Sequence, residues 1–148
     1  MFSIFTTILI FLAFPVFPQS TADEIEALLE TNAVTYAQAA RFILEASEVT
    51  VSADPETAFQ YAARQKWLPK NASGESVARL DCIALLVMRS FDIKGGMFYS
   101  VTKNQHYAYR EMVYRDIIQG RIDPAMPVSG EALLYIINRV FSVREEGN

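Results

Sequence analysis

The run Cys82 to Met88 is apolar on every side, and a helix that is hydrophobic all round belongs in a protein core or a membrane. Polar residues bracket it: Glu75, Ser76, Arg79 and Asp81 on one side, Arg89 and Ser90 on the other. The run is far shorter than the roughly 20 residues needed to span a bilayer. Val77 to Phe91 therefore reads as a central core helix against which the rest of the chain packs.

A chain of 148 residues is long enough for one domain with a sizeable core. With 51% hydrophobic residues it falls outside the composition of disordered chains. The net charge of −4, with Arg64, Lys66, Lys70, Arg110, Arg115 and Arg121 scattered among carboxylates, leaves no basic stripe for a nucleic acid. A single cysteine excludes an intrachain disulfide, so the fold stands on packing.

Residues 1–22 carry no charged side chain, and Ile4 to Phe17 is almost unbroken in apolar residues. That length fits the h-region of a secretory signal, with Pro15 and Pro18 ending it and Ser20 and Ala22 offering a small-x-small cleavage pattern. The n-region lacks Lys and Arg, which leaves an uncleaved N-terminal anchor as the alternative. The mature domain is expected over 23–143, exported to the periplasm, envelope or exterior, with 144–148 as a polar tail that frays.

The mature chain reads as helix after helix. Asp23 to Glu30 is short and amphipathic. Thr35, with Gln38 as capping-box partner, opens a second helix carrying Ala39, Phe42, Ile43 and Ala46 at helical spacing. Asp54-Pro55-Glu56 supplies a cap, an N1 proline and a first-turn acid in order. Ser76 or its neighbour is expected to cap the core helix, and Gly95-Gly96 to stop it. Met97 to Val101 reads as a short extended piece. Asn104 starts a helix expected to end at Gln119-Gly120. Ser129 caps the last one, with Leu133, Leu134, Ile137, Val140 and Phe141 as its buried stripe.

Some of these helices begin alike. Val34-Thr35-Tyr36, Val77-Ala78-Arg79 and Val128-Ser129-Gly130 each precede an apolar run, at intervals of 43 and 51 positions. Similarity at a spacing of this order marks units that bury their faces against one another. The run Tyr107 to Phe141 adds Ile117-Ile118-Gln119-Gly120, then Asp123, Pro127 and Val128-Ser129-Gly130-Glu131. This order resembles the S-layer homology (SLH) domain, with its I-I-x-G turn, aspartate, proline and I-T-R-A-E helix start. Ala58 to Phe91 is a weaker copy, in which Val77-Ala78-Arg79-Leu80-Asp81 is similar in type to I-T-R-A-E.

The resemblance implies an all-α, compact bundle of about six short helices built from two to three pseudo-repeats. It also implies a module that holds cell-wall polysaccharide non-covalently, the arginine of I-T-R-A-E and an aromatic near the turn contributing to the sugar site. Arg79 is taken as that arginine, with Tyr36 and Gly130 at its place in the other copies.

The candidate ligand-binding residues are thus Arg79, Asp81, Trp67, Tyr107 and Tyr109. Arg79 offers a donor fork for a carboxylate, against the plainer reading of a first-turn arginine paired with Asp81 or Glu75. Trp67 is a stacking surface for a sugar ring or a lid on the core. Tyr107 and Tyr109 belong to an aromatic cluster with Tyr99, His106 and Tyr114, and helical spacing puts them on different faces. His106 stands alone, without a second metal ligand. Cys82 lies in the most apolar stretch and reads as an inert core thiol. Asn71-Ala72-Ser73 fits the N-glycosylation pattern.

Neither nucleophile–base pair, metal set nor phosphate loop can be assembled, so a non-catalytic protein without a cofactor is expected. Its partner would be cell-wall polysaccharide or, in the second reading, an envelope protein bound by a helical adaptor with no sugar site. Contact with a membrane is expected only through an uncleaved N-terminal segment.

Overall fold

A computed structural model describes residues 22–49, 54–120 and 122–147. The signal or anchor reading of 1–22 lies outside them apart from Ala22, the first residue of α1. The described residues form seven helices and no strand: α1 (Ala22–Leu29), α2 (Tyr36–Ala46), α3 (Pro55–Arg64), α4 (Leu80–Ser90), α5 (Met97–Thr102), α6 (Gln105–Tyr114) and α7 (Gly130–Glu146). The protein is an all-α bundle, as its apolar periodicity requires. None of these helices is long and apolar enough to cross a membrane.

α4 is the centre. Leu80 to Met88 are all buried, along with Ser90, and the helix packs against both α2 and α6. α2 also packs closely on α3, and α1 lies against α7.

Most helix starts are where local chemistry puts them. Thr35 and Gln38 form the full capping box of α2. Asp54 accepts from Thr57 N–H at the head of α3, Asn104 from Tyr107 N–H at α6, and Ser129 from Ala132 N–H at α7. The start of α4 differs from expectation. Arg79, not Ser76, is its N-cap, and it makes no side-chain cap hydrogen bond.

This shifts the repeat by one residue. Aligned on their caps, Thr35, Arg79 and Ser129 correspond, and so do Val34, Ala78 and Val128 before them, all three buried. Val77, matched to Val34 by residue type, is 48% exposed.

Backbone hydrogen bonds tie the three cap segments into a ring. Tyr36 N–H donates to the Ser76 carbonyl and Ala37 N–H to that of Gly74; one unit on, Leu80 N–H donates to Met126 and Asp81 N–H to Pro124. Both pairs join the same cap-relative positions. Gly130 N–H closes the circle on the Thr31 carbonyl, while Ala78 N–H bonds Val34 and Val34 N–H bonds Val128. The preceding turns match as well: Glu75 N–H bonds Ser73 Oγ where Ala125 N–H bonds Asp123 Oδ1. The same pattern thus recurs at two of the three joints, and the third uses a carbonyl one residue further from its cap.

Four helix ends repeat too. Glu48, Lys66, Asp92 and Asp116 all have positive φ, between 51° and 60°, just beyond α2, α3, α4 and α6. The next residues, Val49, Trp67, Ile93 and Ile117, donate back to Leu44, Ala62, Met88 and Met112. Each is a Schellman motif with an apolar C″ residue, built without glycine. The core helix therefore stops at Ser90 rather than at Gly95-Gly96, and α6 at Tyr114 rather than Gly120.

Two further expectations are corrected. Met97 to Val101 is helical, the start of α5, not extended. α7 runs on to Glu146, so the helix includes the first three residues of the expected tail, and Arg144 lies over the Phe91 ring. On α7 the buried face includes Ile136, while Phe141 is exposed.

Candidate functional site

The five sequence candidates do not converge on one site. Arg79 and Asp81 meet at the head of α4. Nε and Nη2 of Arg79 donate to Oδ1 and Oδ2 of Asp81 at 3.2 and 2.8 Å. Asp81, almost fully buried, also accepts from Cys82 N–H and, at 3.3 Å, from Gln105 Nε2 of α6. Two donors of the arginine fork are thus engaged within the protein, on a side chain that is itself half exposed. In the cap alignment Arg79 stands where Thr35 and Ser129 stand, and Tyr36, Leu80 and Gly130 follow.

Beside this pair, Tyr36 and Cys82 face each other, and burial pushes the Cys82 thiol up to about 11. Among the described residues no cluster of His, Cys, Asp and Glu has the arrangement of a metal site.

Tyr107 and Tyr109 leave α6 on different faces. Tyr107 stacks on Phe98 of α5, with ring centroids 5.5 Å apart and planes 13° from parallel. Tyr109 donates its hydroxyl to the Ile122 carbonyl at 2.5 Å and accepts from Ile122 N–H at 3.2 Å. It ties down the loop before α7.

Trp67 has the more open surroundings. Its backbone closes the Schellman motif of α3 and its ring meets Tyr61 edge-on. Its indole N–H is buried without an acceptor among the described residues. The ring forms one wall of a cleft of about 520 Å³, whose other lining residues come from the end of α4, the 92–95 loop and α5. Three cations line it, Arg89, Lys94 and Lys103, against one carboxylate, Asp92. Lys94 Nζ holds Asp92 at 2.9 Å, and this contact keeps the Asp92 carboxyl below its usual range. Tyr99, buried at the back, has its hydroxyl pKa raised by burial. An excess of two positive charges in a cleft with an aromatic wall suits an anion carried on a ring-shaped body.

Of these residues the sequence pointed to Trp67 as a candidate and to Tyr99 only as part of the aromatic cluster. Arg89, Lys94 and Lys103 come together with Tyr99 through the two turns that end α4 and α5, and no local pattern marks the three cations.

No family model matches the chain, and neither a curated protein nor a solved structure is similar to it.

Proposed function

We propose that this protein is a non-catalytic helical module of the cell envelope that binds an acidic carbohydrate in the cleft beside Trp67. The observation carrying this reading is the cleft itself: Trp67 as a ring-stacking wall, with Arg89, Lys94 and Lys103 supplying net positive charge on a chain of net charge −4. The SLH-like order of residues and the apolar N-terminal segment support an exported, wall-associated role. The engagement of Arg79 by the buried Asp81 carboxylate moves the expected sugar contact away from Arg79.

Trp67 is the only tryptophan, so its emission reports directly on the cleft. Titration with an acidic wall polysaccharide is expected to shift that emission, and Lys103→Ala is expected to weaken the response. A neutral glucan serves as control. If acidic and neutral polymers both leave the emission unchanged, the carbohydrate reading fails.

A second reading, an adaptor for another envelope protein with no sugar site, is favoured by a separate observation. Met97, Phe98, Val101 and Tyr114 are 76%, 64%, 80% and 84% exposed on adjoining helices. Exposed apolar residues grouped in this way mark interaction surfaces.

A further inference from the structure

The outer surface of α6 combines a cation that is unpaired among the described residues with two hollows, one apolar and one of mixed polarity. Tyr107, Arg110 and Tyr114 follow one another at the i, i+3, i+7 spacing that aligns side chains along a helix. On one side of Arg110 and Tyr114 lies a cleft of about 210 Å³, walled by Phe98 and Tyr107, with Glu111 also lining it. On the other side lies a second of about 390 Å³, walled by Tyr109, Val113 and Ile122. Arg110 and Tyr114 line both, so they form the ridge between them. Among the described residues Arg110 has no carboxylate partner. The nearest candidate on its helix, Glu111, is already engaged by Arg115 Nε at 2.8 Å and by Gly96 N–H at 3.0 Å.

From this arrangement we infer that the α5–α6 face docks a peptide segment of a partner protein bearing a carboxylate between two apolar side chains. The carboxylate pairs with Arg110 through its donor fork, and one apolar side chain enters each hollow. Charge complementarity chooses the acidic group, and the apolar walls on either side partly desolvate the ion pair and strengthen it. The Phe98–Tyr107 stack holds one wall in place before binding, which reduces the ordering cost. A membrane surface fits less well. α5 has only six residues, too short an apolar face to lie along an interface. This inference does not depend on the carbohydrate reading, because the Trp67 cleft has its own cations.

The test is selection of random peptides displayed on phage against the intact protein. Convergence on sequences with an acidic residue flanked by apolar ones is expected. A synthetic copy of the selected peptide should bind about tenfold or more weakly to Arg110→Ala, and replacing its carboxylate by the amide should cause a similar loss. Combining the two changes should add little further loss, as for groups that interact directly. Trp67 emission should not respond to the peptide. Selected peptides that lack a carboxylate, or that bind Arg110→Ala unchanged, would overturn the inference. So would a dimer in sedimentation that Val101→Asp dissociates, since a second copy would then be the occupant. Co-flotation with phosphatidylglycerol vesicles, abolished by Val101→Asp, would assign the face to a lipid surface instead.

Discussion

Arg79 Nη2 lies 2.8 Å from Asp81 Oδ2, and the two side chains differ sharply in exposure, 48% against 7%. The carboxylate is the buried partner, and it carries further donors from Cys82 N–H and Gln105. The pair therefore belongs to the joint between α4, α6 and the cap ring.

Unequal burial predicts unequal costs. Asp81→Ala removes the acceptor at the centre of the network and leaves the Cys82 and Gln105 donors without it, so a loss of about 2–4 kcal/mol is expected. Arg79→Ala leaves Asp81 with its remaining donors and some access to water, so a clearly smaller loss is expected. Urea unfolding of the two variants checks the order. Equal losses would mean that the exposed guanidinium is as important as the buried carboxylate.

The helix starts that sequence reading located are those with a side chain able to cap locally. Thr35 with Gln38, Asp54 before Pro55, Asn104 and Ser129 all act within three residues, a range over which sequence order is spatial order. Arg79 has no such signal. Its place is set by Leu80 and Asp81 N–H groups bonding Met126 and Pro124 across the ring. Val77 looks like Val34 and Val128, but the buried position falls to Ala78, so residue type alone gave a register one residue out. Glycine-based stop signals failed because Glu48, Lys66, Asp92 and Asp116 take the left-handed conformation without glycine. The Trp67 cleft was half visible: the ring is rare enough to notice, but its cations are gathered by tertiary packing.

Those left-handed residues are strained, and glycine would relieve them. Lys66 is exposed and has φ of 60°. Lys66→Gly is expected to stabilise the protein by about 0.5–1 kcal/mol, relief of strain outweighing the added freedom of the unfolded chain. Thermal melting should show a higher midpoint. A lower one would show that the lysine side chain contributes more than its backbone costs.

Gly130 marks the opposite constraint. A Cβ there would sit 1.7 Å from the Leu28 carbonyl oxygen, so α1 reaches α7 only because the position lacks a side chain. Gly130→Ala is expected to push α1 away, at a cost of about 2–3 kcal/mol. Hydrogen exchange should show faster exchange in α1 while α4 stays protected. Unchanged protection in α1 would contradict the close approach.

Cys82 is 1% exposed, and burial raises its thiol to about 11. Near pH 8 the native thiol is both protonated and covered, and only the thiolate reacts. Alkylation should therefore proceed at the rate of unfolding and accelerate with urea in step with loss of helix. Rapid modification of the folded protein would show that the head of α4 opens on its own.

Glu111 joins α5 to α6 by accepting from Gly96 N–H, the N-cap of α5, and from Arg115. Burial alone would raise its pKa, but the Arg115 and Gly96 hydrogen bonds prevail and hold it below the ordinary 4.5. A carboxyl depressed in the folded state adds stability above its unfolded value and loses it as pH falls through the folded value. The wild type should therefore exceed Glu111→Gln by about 0.5–1 kcal/mol near neutrality. That margin should persist down to roughly pH 4.5 and shrink below it. Urea titrations of both proteins across the acid range check this. A margin independent of pH would mean that the amide serves the Gly96 and Arg115 donors as well as the carboxylate does, and that charge plays no part in holding α5 against α6.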